Sequence, residues 1–223
     1  SLVPLRGTGS GNVPAIICLF FTTACNLNGV SQMPVINIFW EDIGMVQIDL
    51  GGMWHLKDEN GQELCNVEAP GSVVSGLYSA GLIEHPYYRE NEYTVREMFH
   101  KDYEFERAFE ISKEQLEEEH IELICEGLDT LTEIYINDKL VAKTDNMHRT
   151  YKLDVKDELK EGTNQIRILF KSVLNYIDEY QYDENKTVHY IPSGGMKGNH
   201  LIRKAHSMLG WDWGPQLVDA GIW

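Results

Sequence analysis

The clearest structural signal in the chain is the nine-residue stretch Tyr103-Glu104-Phe105-Glu106-Arg107-Ala108-Phe109-Glu110-Ile111. Its odd-numbered positions are apolar apart from Arg107, and most of its even-numbered positions carry a glutamate. Successive side chains of an extended strand point to opposite faces, so residues that alternate in this way can bury one face and solvate the other. The stretch therefore predicts a half-buried β-strand.

Similar short strands extend outward on both sides of this stretch, at intervals of roughly ten residues. Turn-forming residues separate them, for example Asp58-Glu59-Asn60-Gly61 and the pair Asn137-Asp138. The other predicted strands are Val46 to Leu56 with a bend at Gly51-Gly52, Ile121 to Cys125, Ile134 to Ile136, Leu140 to Ala142, Arg149 to Val155 and Gln165 to Phe170. Strands at this spacing predict an all-β sandwich rather than alternating strands and helices.

Two short helices are predicted within this framework. Ser72 is a suitable N-cap for a helix from Val73 to Ala80, which Gly81 would end. The segment from Val173 to Tyr182 carries apolar residues at helical spacing. The predicted fold class is therefore all-β with one or two short helices.

The first 44 residues differ in composition from the rest of the chain. They contain three charged side chains, whereas residues 45–223 contain the other 51 of the 54. The first ten residues resemble a vector linker built around a protease site, and Met45 directly precedes the first patterned strand. We therefore predict a vector-derived or disordered leader over residues 1–44 and one domain over residues 45–223. The alternative is a secretory signal centred on residues 13–21, although this apolar run is too short to span a bilayer.

The charge balance and the cysteine pattern exclude several functions. With 19 basic and 35 acidic side chains the net charge is −16, and without a basic cluster we expect no binding to nucleic acid and no membrane partner. The four cysteines form no CxxC pair, and neither His148 nor His189 has metal-ligand spacing, so no metal or cofactor is expected. We expect a cytoplasmic protein, or a secreted or lipid-anchored one if residues 13–25 are a signal.

The strongest candidate for a functional site is the run Gly210-Trp211-Asp212-Trp213-Gly214-Pro215. An indole can stack on the C–H face of a pyranose, and a carboxylate can accept hydrogen bonds from two neighbouring sugar hydroxyls. In a regular strand Asp212 would point away from both tryptophans, so a shared ligand requires the backbone to leave the extended conformation. The alternative is that both tryptophans are core residues and Asp212 caps a turn.

Two further polar groups are weaker candidates. The aromatic and charged loop from His85 to Tyr93 could line a cleft, or it could serve packing between domains. Arg203, Lys204 and His206 precede the tryptophan run and could orient Asp212 or pair with surface acids. A glycosidase needs two carboxylic acids about 5 to 10 Å apart, and nothing in the sequence singles out such a pair.

The segment from Leu201 to Leu217, continued by Ala220-Gly221-Ile222-Trp223, resembles the signature near the end of the amino-terminal domain of β-mannosidases. The resemblance covers about residues 45–223. Its other motifs are Gln47 to Gly52 with Trp54, Pro86 to Glu92, Glu126 to Thr130, Ile134 to Asn137, Asp145 to His148 and Leu159 to Asn164. Part of this pattern is shared across family two glycoside hydrolases.

The resemblance implies a jelly-roll β-sandwich of the galactose-binding-domain type. It also implies that the acid/base and nucleophile glutamates lie on a downstream barrel, against which this domain packs, so that this chain holds no catalytic residue. Trp211, Asp212 and Trp213 would then contact the terminal mannose, with Asp212 accepting hydrogen bonds from its hydroxyls. The loop at Arg89 and Asn91 is expected to approach the same site.

The sequence therefore favours a fragment of a retaining exo-β-mannosidase that acts on β-mannoside oligosaccharides without a cofactor, the fragment alone being inactive. A first alternative is a free-standing carbohydrate-binding module that uses the tryptophan pair as a platform. A second is the same domain of a β-galactosidase or β-glucuronidase, against which the run from Trp211 to Trp213 argues.

Overall fold

A computed structural model describes residues 15–19, 47–181, 195–196, 198–212 and 214–223. The strands within these ranges are β1 (Ala15–Leu19), β2 (Gln47–Asp49), β3 (Gly52–Asp58), β4 (Glu63–Ala69), β5 (Gly71–Ser72), β6 (Tyr103–Ile111), β7 (Ile121–Cys125), β8 (Leu128–Asp129), β9 (Thr132–Ile136), β10 (Lys139–Thr144), β11 (Tyr151–Asp154), β12 (Gly162–Phe170) and β13 (Gly221–Ile222). The α-helices are α1 (Val73–Ser79), α2 (Asn91–Met98), α3 (Lys113–Leu116) and α4 (Val173–Gln181).

A six-stranded sheet in the order β10-β9-β12-β6-β3-β4 forms one layer of the molecule. The predicted strand β6 lies near its centre and pairs antiparallel with β12 along its whole length, from Tyr103 opposite Phe170 to Ile111 opposite Gly162. The apolar side chains at its odd-numbered positions are buried while its glutamates are partly or fully exposed, as the alternation predicted. The strand prediction is confirmed.

A four-stranded sheet in the order β11-β7-β1-β2 forms the other layer. Buried apolar side chains of both sheets belong to one hydrophobic core, which is the arrangement of a β-sandwich. A short third sheet, β5-β13-β8, joins the end of the chain to two earlier segments. The all-β sandwich prediction is confirmed.

The strand β1 comes from the segment that the sequence analysis left out of the fold. It pairs in parallel with β2 and with β7, and Ile17 lies opposite Ile48 on one side and Leu123 on the other. Ile17 is 1% exposed and belongs to the core. Five of the first 44 residues therefore take part in the sandwich, and the others lie outside the described residues.

The glycine pair Gly51-Gly52 is a crossing between the two layers rather than a bend within one strand. The segment before it, β2, belongs to the four-stranded sheet, and the segment after it, β3, belongs to the six-stranded sheet. Gly52 has a φ of 94°, which other residues rarely adopt. At the crossing the carbonyl oxygen of Leu50 accepts hydrogen bonds from Trp54 Nε1 at 3.0 Å and from Arg107 Nη1 at 2.7 Å. One predicted strand is thus two strands in different sheets.

Both predicted helices are present: α1 has Ser72 as its N-cap and ends at Ser79, one residue earlier than predicted, and α4 is described from Val173 to Gln181. The count of one or two helices is corrected to four in the described part of the chain. Helix α3 lies within the acidic stretch from Glu114 to Glu119, where Ser112 and Gln115 form a capping box. Helix α2 begins inside the segment that was predicted to be a loop.

Candidate functional site

The backbone at Trp211 and Asp212 leaves the extended conformation, as the sequence analysis required for a shared ligand. Gly210 has a φ of 87° and Trp211 has a φ of 97°, so two consecutive residues occupy a region that disfavours any residue with a Cβ atom. Trp211 is 54% exposed and Asp212 is also exposed, so neither is a core residue. Trp213 lies outside the described residues. We call residues 210–215 the site turn.

A buried ion pair holds the chain before the site turn. Lys204 Nζ donates to Asp129 Oδ2 and to the backbone oxygen of Asp219. The side chains of Lys204 and Asp129 are 0% and 1% exposed. Charges removed from water in this way persist only when they are paired and hydrogen-bonded. The prediction that Lys204 orients Asp212 or pairs with a surface acid is therefore wrong, because its partner is a buried acid of β8.

The neighbours of Lys204 attach the same segment to a second part of the sandwich. The backbone oxygen of Arg203 accepts from the backbone amide of Met147 at 3.1 Å, and the amide of Ala205 lies 2.9 Å from the sulfur of Met147. The side chain of Arg203 is exposed, as is that of His206, which begins a 3-10 turn ending at the buried Leu209. These contacts are structural, and they fix the approach of the chain to the site turn.

Helix α2 holds the chain after the site turn. The backbone amide of Gln216 donates to Glu92 Oε2 at 3.0 Å. The side-chain oxygen of Gln216 accepts from Arg96 Nη1. Because Glu92 and Arg96 are four residues apart on α2, they lie on one face of the helix and hold the backbone and the side chain of the same residue.

A second buried carboxylate lies close to the end of the chain. Asp219 Oδ1 accepts from the backbone amides of Val74 at 3.0 Å and Ala220 at 2.8 Å. The residue as a whole is half-buried, but its carboxyl group is withdrawn from water. This loss of hydration raises the pKa of Asp219 despite the two amide donors. Asp219 thereby links β13 to the start of α1.

The predicted cleft loop contacts residues 203–219, which we call the site segment, through its member Glu92, whereas the contacts of Asn91 and Arg89 described next lie within the loop. Asn91 Nδ2 donates to the backbone oxygen of His85 at 2.9 Å, so Asn91 closes its own loop. Arg89 has a φ of 53°, and its guanidinium carbon lies 5.0 Å from the centre of the Tyr88 ring. Sequence reasoning included Glu92 only as a member of the cleft loop and missed Arg96, for which the only signal was its spacing of four residues from Glu92.

The structure identifies no metal centre among the residues that it describes, since no group of three histidine, cysteine, aspartate or glutamate side chains could hold an ion there. His148 is exposed, and His189 lies outside the described residues. Within the described ranges, no helix is both long enough and apolar enough to cross a membrane.

The comparisons with known proteins agree with this architecture. A family model described as "Glycosyl hydrolase 2 galactose-binding domain-like" matches residues 54–223. The chain therefore belongs to this family of sugar-binding-type sandwich domains. The match includes the whole site segment and helix α2.

The most similar proteins include β-mannosidases from animals and a bacterium. The chain is 31% identical over 186 residues to the β-mannosidase of Capra hircus, covering 80% of this chain and 21% of the goat protein. It is 32% identical to the β-mannosidase of Mus musculus, covering 78% of this chain and 20% of the mouse protein. The crystal structure of the β-D-mannosidase of Dictyoglomus thermophilum is similar with a TM-score of 0.72 and 34% identity, covering 78% of this chain and 21% of that one. The chain thus spans about a fifth of the length of these relatives.

Proposed function

We propose that this chain is the sugar-binding domain of a longer, exo-acting, retaining β-mannosidase. The similarity to three β-mannosidases, two of them from mammals and one from a bacterium, supports this proposal. In the proposed enzyme, two carboxylic acids cleave the glycosidic bond by double displacement, and both belong to a catalytic barrel outside this chain. This domain packs on the barrel and contributes one wall of the pocket for the terminal β-linked mannose.

The observation that carries the proposal is the exposed turn at Trp211 and Asp212, which is held by a buried ion pair before it and by half-buried contacts with helix α2 after it. Trp211 has a positive φ, which costs free energy on the order of 1–3 kcal/mol for a residue other than glycine. A fold retains such a conformation at an exposed position when the direction of the side chains matters. This conformation supports the proposal that the turn is a binding site.

Trp211, Asp212 and Trp213 of the site turn each have a distinct role in this proposal. The Asp212 carboxylate has acceptor capacity for two neighbouring hydroxyls of the mannose, which gives it selectivity for their configuration. The exposed indole of Trp211 can cover the C–H face of the ring. Trp213 would be the second wall, a role that rests on the sequence alone.

The test is the rate of the longer protein on aryl glycosides that differ only in the sugar. We expect hydrolysis of the β-mannoside and little of the β-galactoside or β-glucuronide. The variant Asp212→Asn should lower kcat/KM on the β-mannoside at least about tenfold, or about 1.4 kcal/mol of transition-state binding, without loss of folding. Asp157→Asn is the matched control, since Asp157 is an exposed acid in the 3-10 turn Lys156–Glu158.

The outcomes separate the parts of the proposal. Preferred cleavage of the galactoside or glucuronide would assign another sugar to the site. An unchanged rate in Asp212→Asn would remove Asp212 from the pocket. A longer protein that cleaves no β-mannoside would contradict the enzyme assignment.

We further propose a cytoplasmic location. The free cysteines Cys65 and Cys125 support it, since thiols persist in a reducing compartment. Secretion or lipid anchoring would follow if residues 13–25 are removed as a signal, and amino-terminal sequencing of the mature protein distinguishes the two cases.

A further inference from the structure

We propose that Glu92 and Arg96 are positioning residues for Asp212, acting through Gln216. This inference rests on the proposed function, because it assigns a role to residues that support the same site. Neither side chain is on the site turn, and both belong to helix α2, which lies more than a hundred positions earlier in the chain.

The first step of the argument is that Gln216 is held at two points. Its backbone amide donates to Glu92 Oε2 at 3.0 Å, and its side-chain oxygen accepts from Arg96 Nη1. One contact fixes the path of the main chain and the other fixes the direction of the side chain. Hydrogen bonds to charged groups are about twice as strong as those between neutral groups, so this pair restrains the residue more than a surface contact would.

The second step is that Gln216 packs against the other end of the site turn. A Cβ atom added to Gly210 would lie 2.5 Å from Gln216 Cγ and 3.0 Å from Gln216 Nε2. The side chain of Gln216 therefore lies directly against the backbone of Gly210, which immediately precedes Trp211. The two ends of the turn meet here, and this contact can form because Gly210 has no side chain.

The third step is that the charged partners are themselves fixed. Glu92 lies in the first turn of α2 and Arg96 lies in its last turn, where their charges complement the helix dipole. The Arg96 guanidinium carbon also lies 5.4 Å from the centre of the Tyr93 ring, a cation–π distance that limits its orientation. A displacement of either side chain would pass through Gln216 to both ends of the turn that carries Asp212.

The experiment is a double-mutant cycle in the longer protein, with aryl β-mannoside as substrate and with kcat and KM measured separately. Arg96→Met should lower kcat/KM by about three- to tenfold, mainly through KM. In the Asp212→Asn background the same substitution should change kcat/KM less than twofold, because its effect passes through Asp212. Glu92→Gln should show the same pattern with a smaller effect.

The matched control is Arg167→Met. Arg167 also lies over a tyrosine ring, with its guanidinium carbon 4.7 Å from the centre of Tyr135, and it also donates to a side-chain oxygen, Glu104 Oε2, at 2.7 Å. It belongs to β12, in the six-stranded sheet. We expect Arg167→Met to change kcat/KM less than twofold in both backgrounds.

A second measurement on the 223-residue chain does not depend on catalysis. Hydrogen exchange of the Gln216 amide should become at least about tenfold faster in Arg96→Met and in Glu92→Gln, while exchange of the Phe105 amide stays unchanged. Unchanged protection of Gln216 would overturn the inference.

The two proposals fail in different ways. If Asp212→Asn has no effect on the rate, the proposed role of the site turn is wrong. If Asp212→Asn lowers the rate but Arg96→Met has no effect, or an equal effect in both backgrounds, Arg96 supports only the fold and the positioning role is overturned.

Discussion

The centre of the six-stranded sheet and the site segment are stabilised in different ways. Strands β6 and β12 are joined by a continuous ladder of paired backbone groups, and each strand alternates buried and exposed side chains. The site segment is held instead by single side-chain bonds to residues 75, 124 and 145 positions away, at Asp129, Glu92 and Val74. A repeating local pattern therefore stabilises the sheet, whereas a few long-range polar contacts position the site.

The largest expected effect comes from removal of the buried ion pair, the strongest polar contact of the site segment. Lys204→Met leaves Asp129 buried without its cationic partner, which should lower the free energy of unfolding by about 3–5 kcal/mol. Urea denaturation of the 223-residue chain measures it. The matched control Lys143→Met removes a lysine that is 66% exposed and paired with Glu133, and should cost less than about 1 kcal/mol. Equal costs for the two variants would show that the buried pair is not the anchor.

A comparison of two glycines sharpens the same point at the site turn. Gly210 and Gly61 both have positive φ, but only Gly210 has another residue in the space of a Cβ atom. Gly61→Ala should therefore cost about 1 kcal/mol from backbone strain alone. Gly210→Ala should cost about 1–3 kcal/mol more, because Gln216 must move. Thermal unfolding of both variants tests this difference in cost. Similar melting temperatures would mean that Gln216 can move away from the added methyl group without a measurable loss of stability.

The pH dependence of stability reports on Asp219 in the same segment. Because burial raises the pKa of Asp219 above its ordinary value of 3.8, the folded state binds more protons than the unfolded state just above that pH. The contribution of Asp219 to stability is therefore greatest at low pH and falls as the pH rises through the raised pKa. Asp219→Asn keeps an acceptor oxygen for Val74 and Ala220. Relative to the parent, it should gain stability as the pH rises above 3.8, and a constant difference would contradict the raised pKa.

The smallest effect concerns a surface pair of the regular region. The hydrogen bond from His120 to Asp154, at 3.0 Å, raises the pKa of His120 above its ordinary value of 6.5. Any stability from the charged pair is present below that value and is lost as the pH rises through the raised pKa. Asp154→Asn should lower the pKa of His120, as measured by NMR titration, with little change in melting temperature because both groups are exposed. A large loss of stability would show that surface ion pairs support this layer.

The regular region could be predicted from local patterns. Tyr103 to Ile111 alternates in character, Ser72 caps α1, and the Asn137-Asp138 turn joins β9 to β10 with φ values of 48° and 66°. In each case the signal lies within a few residues of the structure that it specifies. The sequence analysis did not identify the crossing at Gly51-Gly52, because the same apolar alternation continues on both sides while the strands enter different sheets.

The site segment could be predicted only in part. The break in the backbone at Gly210 follows from residue types that are close together in the sequence, whereas the residues alone left open whether Trp211 is exposed or part of the core. The partners of Lys204 and Gln216 could not be predicted in this way. Each partner lies on a distant element, and no local pattern specifies which side chains will come into contact. The helical spacing of Glu92 and Arg96 indicates that they share a face, but not what that face contacts.

The measurement that tests the central claim most directly is a calorimetric titration of the 223-residue chain with mannose and β-mannobiose at millimolar concentrations. A near-UV circular dichroism spectrum shows that the sample is folded. If the chain contributes one wall of a pocket, too few contacts remain to offset the cost of association, and we expect no saturable binding by the chain, whereas the longer protein binds mannose. Saturable binding by the chain alone, lost in Asp212→Ala, would contradict this account and identify a free-standing carbohydrate-binding module.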